Sequence, residues 1–226
     1  MSKTRGRVVV LAVLLVSLAV LGWFAWRAIA PAVRRKPQAT AMPEASLPWN
    51  DDFSDPTSGW QTESDATAEV GYQDGALRVL VKASNRLAWA FAGHEFTDFR
   101  LAVEATQVGG PDDNEYGVLV RMEDTAHFYR FSISGDGYYR AGKYSSGEWT
   151  LLNGDWTPAE AIRLGAATNL LEVVCQGATM TFLVNGVQLF QVEDADYRTG
   201  DVGLYAGSFF EPEVEIHFDN LRITQP

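Results

Sequence analysis

From Trp49 to the C-terminus, apolar and aromatic residues alternate with polar ones, and Gly, Asp or Asn clusters interrupt the pattern roughly every 8 to 12 residues. A period of two belongs to half-buried β-strands. The longer runs are Ala76 to Lys82, Phe99 to Thr106, Tyr116 to Glu123, His127 to Ser134, Tyr138 to Tyr144, Leu170 to Gln176, Thr179 to Val184 and Val214 to Ile223. With shorter runs at Ala68 to Tyr72, Arg86 to Phe91, Trp149 to Leu152, Val187 to Glu193 and Val202 to Tyr205 they predict about thirteen strands. Gln73-Asp74-Gly75, Ser134-Gly135-Asp136-Gly137, Ser146-Gly147 and Asn185-Gly186 supply the positive φ angles of tight hairpins, so neighbouring strands run antiparallel. So many strands exceed an immunoglobulin sandwich and predict an all-β sandwich of two larger sheets. One helical turn is predicted, at Thr157 to Ile162, with Thr157 as cap and Pro158 in the first helical position.

The N-terminal pattern is different. Val8 to Trp26 is a run of 19 residues without a charge, long enough for a helix to cross hydrocarbon. Trp23, Trp26 and Arg27 mark the interface at its end. Ala28-Ile29-Ala30 has the spacing of a signal-peptidase site, but Pro31 follows it and the apolar run is long for a cleaved signal, which favours a retained anchor. The pattern therefore divides the chain into a short basic N-terminus (1–7), a transmembrane anchor (8–30), a Pro- and Ala-rich linker (31–48) and a β-sandwich domain (49–226). Lys3, Arg5 and Arg7 on one side nearly balance Arg34, Arg35 and Lys36 on the other. Orientation thus rests on the kind of domain that follows, which places it outside the cytoplasm on a single-pass membrane protein.

Charge narrows the partners. Seven of the 18 basic residues and none of the 29 acidic ones lie in the first 36 positions, leaving 11 basic against 29 acidic groups beyond them, a net charge of -18. A surface that acidic argues against nucleic acid, whose phosphates need basic side chains. The single cysteine, Cys175, lies in an apolar strand-like run and reads as a buried thiol without reactivity.

Four segments occur together in order: Asp51-Asp52-Phe53-Ser54-Asp55-Pro56 with Gly59-Trp60, then Tyr116-Gly117-Val118-Leu119-Val120-Arg121, the hairpin Phe128-Tyr129-Arg130-Phe131 to Gly137-Tyr138-Tyr139-Arg140, and Phe218-Asp219-Asn220-Leu221-Arg222-Ile223. Over about residues 49–224 they resemble the concanavalin A-like jelly rolls of the laminin G-like and 3-keto-disaccharide hydrolase group (domain of unknown function 1080). That resemblance implies two antiparallel sheets, first and last strands side by side, and a concave sheet that meets ligand. It implies Ca²⁺ held near the paired termini by Asp52 and Asp219 as a structural ion. It also implies, for some members, hydrolysis or lysis of 3-keto-disaccharides.

Arg121, Arg130 and Lys143 fall on three consecutive hairpin-linked strands with Tyr138, Tyr139 and Trp149 nearby. Aromatic faces stack on sugars while Arg and Lys donate to hydroxyls or carboxylates, so Arg121, Arg130, Tyr139 and Lys143 form the candidate site for a glycan or surface polymer. Cross-strand pairing with Glu123, Asp136 or Glu148 is the competing reading of the same cations. Trp60, Trp89 and Trp156 are expected to fill the core. Catalytic residues are not identifiable. The Glu-x-Asp-x-x-Glu strand of laminarinase-like enzymes is missing, which leaves Glu115 or Glu215 as carboxylates for an acid–base alternative. Glu213, Glu215, His217 and Asp219 share one face of a strand, as a solvated face or a metal site would. Pro111-Asp112-Asp113-Asn114-Glu115 offers an oxygen-rich loop, either a plain acidic turn or a Ca²⁺ site. His94, His127 and His217 lack zinc-ligand spacing, and no Gly-x-Ser-x-Gly elbow, Walker loop or dinucleotide fingerprint occurs. A protein-binding adhesion or scaffold role remains a further alternative for such a sandwich.

Overall fold

The computed structural model describes residues 42–226; the apolar run Val8–Trp26, its basic flanks and the linker as far as residue 41 lie outside the described residues. No helix among the described residues is long and apolar enough to cross a membrane. In chain order the strands are β1 (Trp49–Asp51), β2 (Glu63–Ser64), β3 (Ala68–Gln73), β4 (Ala76–Val81), β5 (Leu87–Phe91), β6 (Phe99–Gly109), β7 (Asn114–Asp124) and β8 (His127–Ile133). They continue with β9 (Tyr138–Ser145), β10 (Glu148–Leu151), β11 (Thr157–Pro158), β12 (Thr168–Gln176), β13 (Thr179–Val184), β14 (Val187–Glu193), β15 (Asp201–Ser208) and β16 (Val214–Thr224).

Two antiparallel sheets result. The nine-stranded sheet runs β14-β13-β12-β6-β16-β4-β3-β2, with β1 paired to the C-terminal part of β16. The seven-stranded sheet runs β10-β9-β8-β7-β15-β5, with β11 added along β9. First and last strands lie side by side, Trp49 opposite Ile223. The architecture is an all-β jelly-roll sandwich.

The core follows from strand alternation. Phe99, Leu101, Val103 and Ala105 of β6 and Leu171, Val173 and Cys175 of β12 face inward and are fully buried. Phe131 of β8 meets Phe182 of β13 with ring centroids 5.4 Å apart, so one aromatic pair ties the two sheets together. Removing a buried phenyl ring of this kind costs about 3–5 kcal/mol. Burial pushes the Cys175 thiol up to about 12, which makes it a packing group and a poor nucleophile.

Several register shifts interrupt the alternation, and two of them redirect side chains. In β16, Asn220 adopts a φ of 54° and the register against β6 slips between Asp219 and Arg222. Phe218 and Leu221, three apart, consequently both reach the core. In β7, Arg121 has a φ of 51° and the register against β8 shifts between Val120 and Asp124. Arg121 is thereby turned out of the outward series Gly117, Leu119 and into the protein. The helical turn expected at Thr157–Ile162 is not formed: Thr157 and Pro158 pair with Tyr139 and Tyr138 as β11. Pro158 lacks an N–H, and an edge strand is where a sheet tolerates that.

Candidate functional site

In the seven-stranded sheet the inward parity is taken by Tyr116, Val118 and Val120 on β7, Tyr129, Phe131 and Ile133 on β8, Ala141 on β9, and Leu204 and Ala206 on β15. The opposite parity sends Glu115, Arg130, Ser132, Arg140 and Tyr205 to the outer face. Registers place Arg130 opposite Gly142 and Ser132 opposite Arg140, while Glu115 lies opposite Gly207. Both glycines are needed for close approach. A Cβ on Gly142 would lie 2.0 Å from the Trp149 ring, and one on Gly207 would lie 2.9 Å from the Cγ of Glu115. Trp149 can therefore lie flat over β9, and Glu115 can settle onto β15.

These side chains form a continuous row. The Glu115 carboxylate accepts from Arg140 Nη2 at 3.3 Å and lies 3.4 Å from Arg130 Nη2. The Arg130 guanidinium stacks over Trp149 at 4.2 Å and approaches Tyr205 at 5.4 Å. Arg140 stacks over Trp156 at 4.4 Å. Glu115 and Arg130 are only 5% and 8% exposed, so this is a desolvated ion cluster with one negative and two positive groups. Such a cluster is expensive to bury unless its donors are satisfied. Yet Arg130 Nε, Arg140 Nε and Trp149 Nε1 have no hydrogen-bond partner within the described residues. Tyr205 and Ser132 hydrogen-bond beneath the row, and burial holds the Tyr205 phenol well above its ordinary value.

A pocket opens at each end of the row. Beside Trp149 is one of about 320 Å³. Beside Trp156 is one of about 220 Å³, lined by Asp113, Ser134, Asp136, Tyr138 and Phe209. Trp89 borders the first, so Trp89 and Trp156 belong to the outer face and do not fill the core as expected. Trp60 does, at 4% exposed.

Of the four predicted ligand residues, Arg130 alone lies on this face. Arg121 is completely buried by the bulge and donates to the carbonyls of Gly177 at 2.6 Å and Tyr197 at 3.3 Å. Tyr139 and Lys143 share the inward parity of Ala141: Tyr139 donates to the Leu189 carbonyl at 3.0 Å, and Lys143 pairs with Asp194 and Asp196 at 2.6 Å each. The structure thus separates these three from Arg130 and brings in Glu115, Arg140, Trp149 and Trp156 instead. Arg140 and Gly142 are marked as the outward set of β9 only by the core packing of Ala141. The bulge at Arg121 carries no comparable mark, because the apolar run Val118-Leu119-Val120 before it has no polar alternation to break.

The remaining carboxylates sit elsewhere. Glu215 is on β16 of the other sheet, bonded to Arg78 at 2.7 Å and His217 at 2.9 Å, so Glu115 and Glu215 cannot act as one acid–base pair. Hydrogen bonds from Ser54 hold the Asp52 carboxyl below its ordinary value, and Asp219 accepts from the Asn220 N–H at 2.6 Å. Among the described residues no group of three or more His, Cys, Asp or Glu side chains is placed to hold a metal. Ca²⁺ takes six to eight oxygens, and Asp52 and Asp219, the pair the resemblance assigns to it, are two carboxylates. In the oxygen-rich loop, Asn114 is buried and donates to Gln107 and the Pro111 carbonyl, which makes the loop a structural brace.

The sandwich is similar to several solved structures. The carbohydrate-binding module CBM66 from Bacillus subtilis superposes with a TM-score of 0.60 at 14% identity, covering 74% of this chain and 96% of that one. A beta-glucanase from Bacillus licheniformis gives 0.60 at 11% identity, over 81% of this chain and all of the other (100%). An endo-beta-galactosidase from Clostridium perfringens that releases GlcNAcα1-4Gal gives 0.55 at 12%, over 83% and 64%. At these identities the likeness establishes the fold. No curated protein matches the sequence. Residues 48–224, most of the chain, match the profile of the 3-keto-alpha-glucoside-1,2-lyase-like domain, and the chain belongs to that family.

Proposed function

We propose that the chain is a membrane-anchored, extracytoplasmic carbohydrate-binding domain whose ligand lies across the outer face of the seven-stranded sheet. One observation carries the reading: two Arg–Trp stacks, Arg130 on Trp149 and Arg140 on Trp156, converge on the buried Glu115. Indole faces match the apolar faces of sugar rings, and charged donors and an acceptor between them match the hydroxyls. The unpartnered nitrogens of the row favour a ligand that supplies acceptors. The fold shared with a carbohydrate-binding module and a beta-glucanase is compatible with a carbohydrate ligand. Anchoring and outward placement rest on the Val8–Trp26 run and its flanks; carbonate extraction and protease protection of intact cells test them. Glycan-array binding of the full chain tests the ligand class. The double variant Trp149→Ala/Trp156→Ala, folded by circular dichroism, is expected to lose that binding, and undiminished binding would sink the assignment.

Family membership favours a second reading, cleavage of a 3-keto-α-glucoside. A ketone at C3 acidifies the C2–H bond. A base removes that proton, the electron pair forms the C1–C2 double bond, and the C1–O bond breaks with a proton going to the departing oxygen. Glu115 is the carboxylate at the centre of the row and is the base in this reading, with Arg130 and Arg140 facing the developing enolate charge. Turnover of a 3-keto-α-glucoside that disappears in Glu115→Gln supports it; turnover that survives the substitution removes Glu115 from the role.

A further inference from the structure

The two pockets flanking Glu115 differ in chemistry. Beside Trp156, Asp113, Ser134, Asp136 and Tyr138 offer polar groups against aromatic rings, the mixture that sugar hydroxyls require. Beside Trp149 the walls are Leu87, Trp89, Phe128, Tyr144 and Trp149, and Arg130 is the one charged side chain that lines the space. The Phe128 and Tyr144 rings stack with centroids 5.2 Å apart, and Trp89 packs on Phe91 at 6.0 Å.

These residues belong to a second hydrophobic cluster, separate from the sandwich core. It is built on Leu119, Met122, Phe128 and Tyr205, with Leu87, Trp89, Phe91, Tyr144 and Trp149 packed against it and still partly open to solvent. A sheet face turned to water ordinarily carries polar side chains. A contiguous apolar surface there marks a place where something apolar docks. A sugar ring inserted among these walls would strip its hydroxyls of water without returning enough partners, whereas a flat apolar group would lose nothing by the transfer.

Building on the carbohydrate reading above, we infer that the Trp149 pocket receives an apolar aglycone. The ligand class is then a glycoside whose sugar lies over Glu115 towards Trp156 and whose aromatic or comparably apolar substituent enters between Trp89 and Trp149. Arg130 joins the two halves, since its guanidinium stacks on Trp149 and also reaches the Glu115 carboxylate.

Calorimetric titration of the purified full chain with methyl and phenyl glucosides, in both anomeric forms, and with phenol alone tests this. The phenyl glycosides are expected to bind about tenfold tighter than their methyl partners, a margin of the size that burying one aromatic ring supplies. Trp149→Ala should remove the margin. So should Thr125→Trp, which fills the pocket's rim from the exposed turn between β7 and β8 and leaves methyl glucoside binding as it was. Equal affinities for the two glycosides, or a margin that survives both variants, overturn the inference and leave the carbohydrate reading intact. Phenol binding that is lost in both variants, with no binding of either glucoside, keeps the apolar pocket and overturns the carbohydrate reading. If none of the three probes binds, the aglycone pocket is refuted.

Discussion

The outer faces of the two sheets are built on the same alternation and end in opposite states. On the nine-stranded sheet, Arg78 is held between Glu215 at 2.7 Å and Glu69 at 3.0 Å, Lys82 joins Glu69 at 3.1 Å, and His217 joins Glu215 at 2.9 Å. Its charges are paired with each other and reached by water, and Arg78 holds the Glu215 carboxyl below its ordinary value. On the seven-stranded sheet, Glu115 and Arg130 are buried, three donor nitrogens lack partners, and the apolar rings of Trp89 and Trp149 stay partly exposed. The first face satisfies itself against solvent. The second leaves donors and apolar rings without partners among the described residues.

The largest expected effect that would break this contrast is on stability. Glu115→Ala leaves Arg130 as an uncompensated buried charge, which should cost about 3–5 kcal/mol in urea denaturation. If the cost falls to that of a surface pair, the cluster is more hydrated than its burial indicates. Next comes binding: Trp156→Ala should weaken affinity for the sugar, and Trp149→Ala affinity for an aromatic glycoside, each by about tenfold, roughly 1.4 kcal/mol. Equal losses from Arg78→Ala on the other sheet would erase the distinction between the faces.

Smaller again is Glu215→Ala, where solvent screens the Arg78 pair, and a cost of about 1 kcal/mol or less is expected from the same denaturation experiment. The smallest effect concerns acid. Backbone and hydroxyl hydrogen bonds from Thr67 hold the Asp65 carboxyl at about 2, below its ordinary value near 4. A depressed carboxyl contributes stability that is present above its unfolded value and lost as pH falls through the folded one. Asp65→Asn should therefore lower the Tm slightly at pH 7, and the gap from the parent protein should close between about pH 4 and pH 2. A gap that is constant with pH would assign the loss to packing.

Arg130 and Arg121 show how far the candidate site could be read. Both occupy outward positions by simple alternation, and both follow an apolar neighbour that faces the core. Arg130 stays outward because β8 is regular between β7 and β9. Arg121 turns inward because the strand bulges there, and its guanidinium takes the carbonyls of Gly177 and Tyr197. On β9 the difficulty is different: Tyr139 and Lys143 on one parity, and Arg140 and Tyr144 on the other, are equally polar and aromatic. Only the packing of Ala141 against the core decides which set is outward.

The residue order by itself determined thirteen of the sixteen described strands, most hairpins, the all-β class, the inert cysteine and the presence of Arg130 among aromatics. These are local properties, fixed by alternation and by turn residues within a few positions. Tertiary structure decided which face of each sheet is outward, that β15 lies beside β7 so that Gly207 meets Glu115 and Tyr205 lies by Arg130, and that Trp149 and Trp156 cap the two arginines. Those outcomes depend on pairings between segments far apart in the chain and on single-residue bulges. Period-two patterning reports that a face exists, and the packing of one sheet on the other reports which face a ligand can reach.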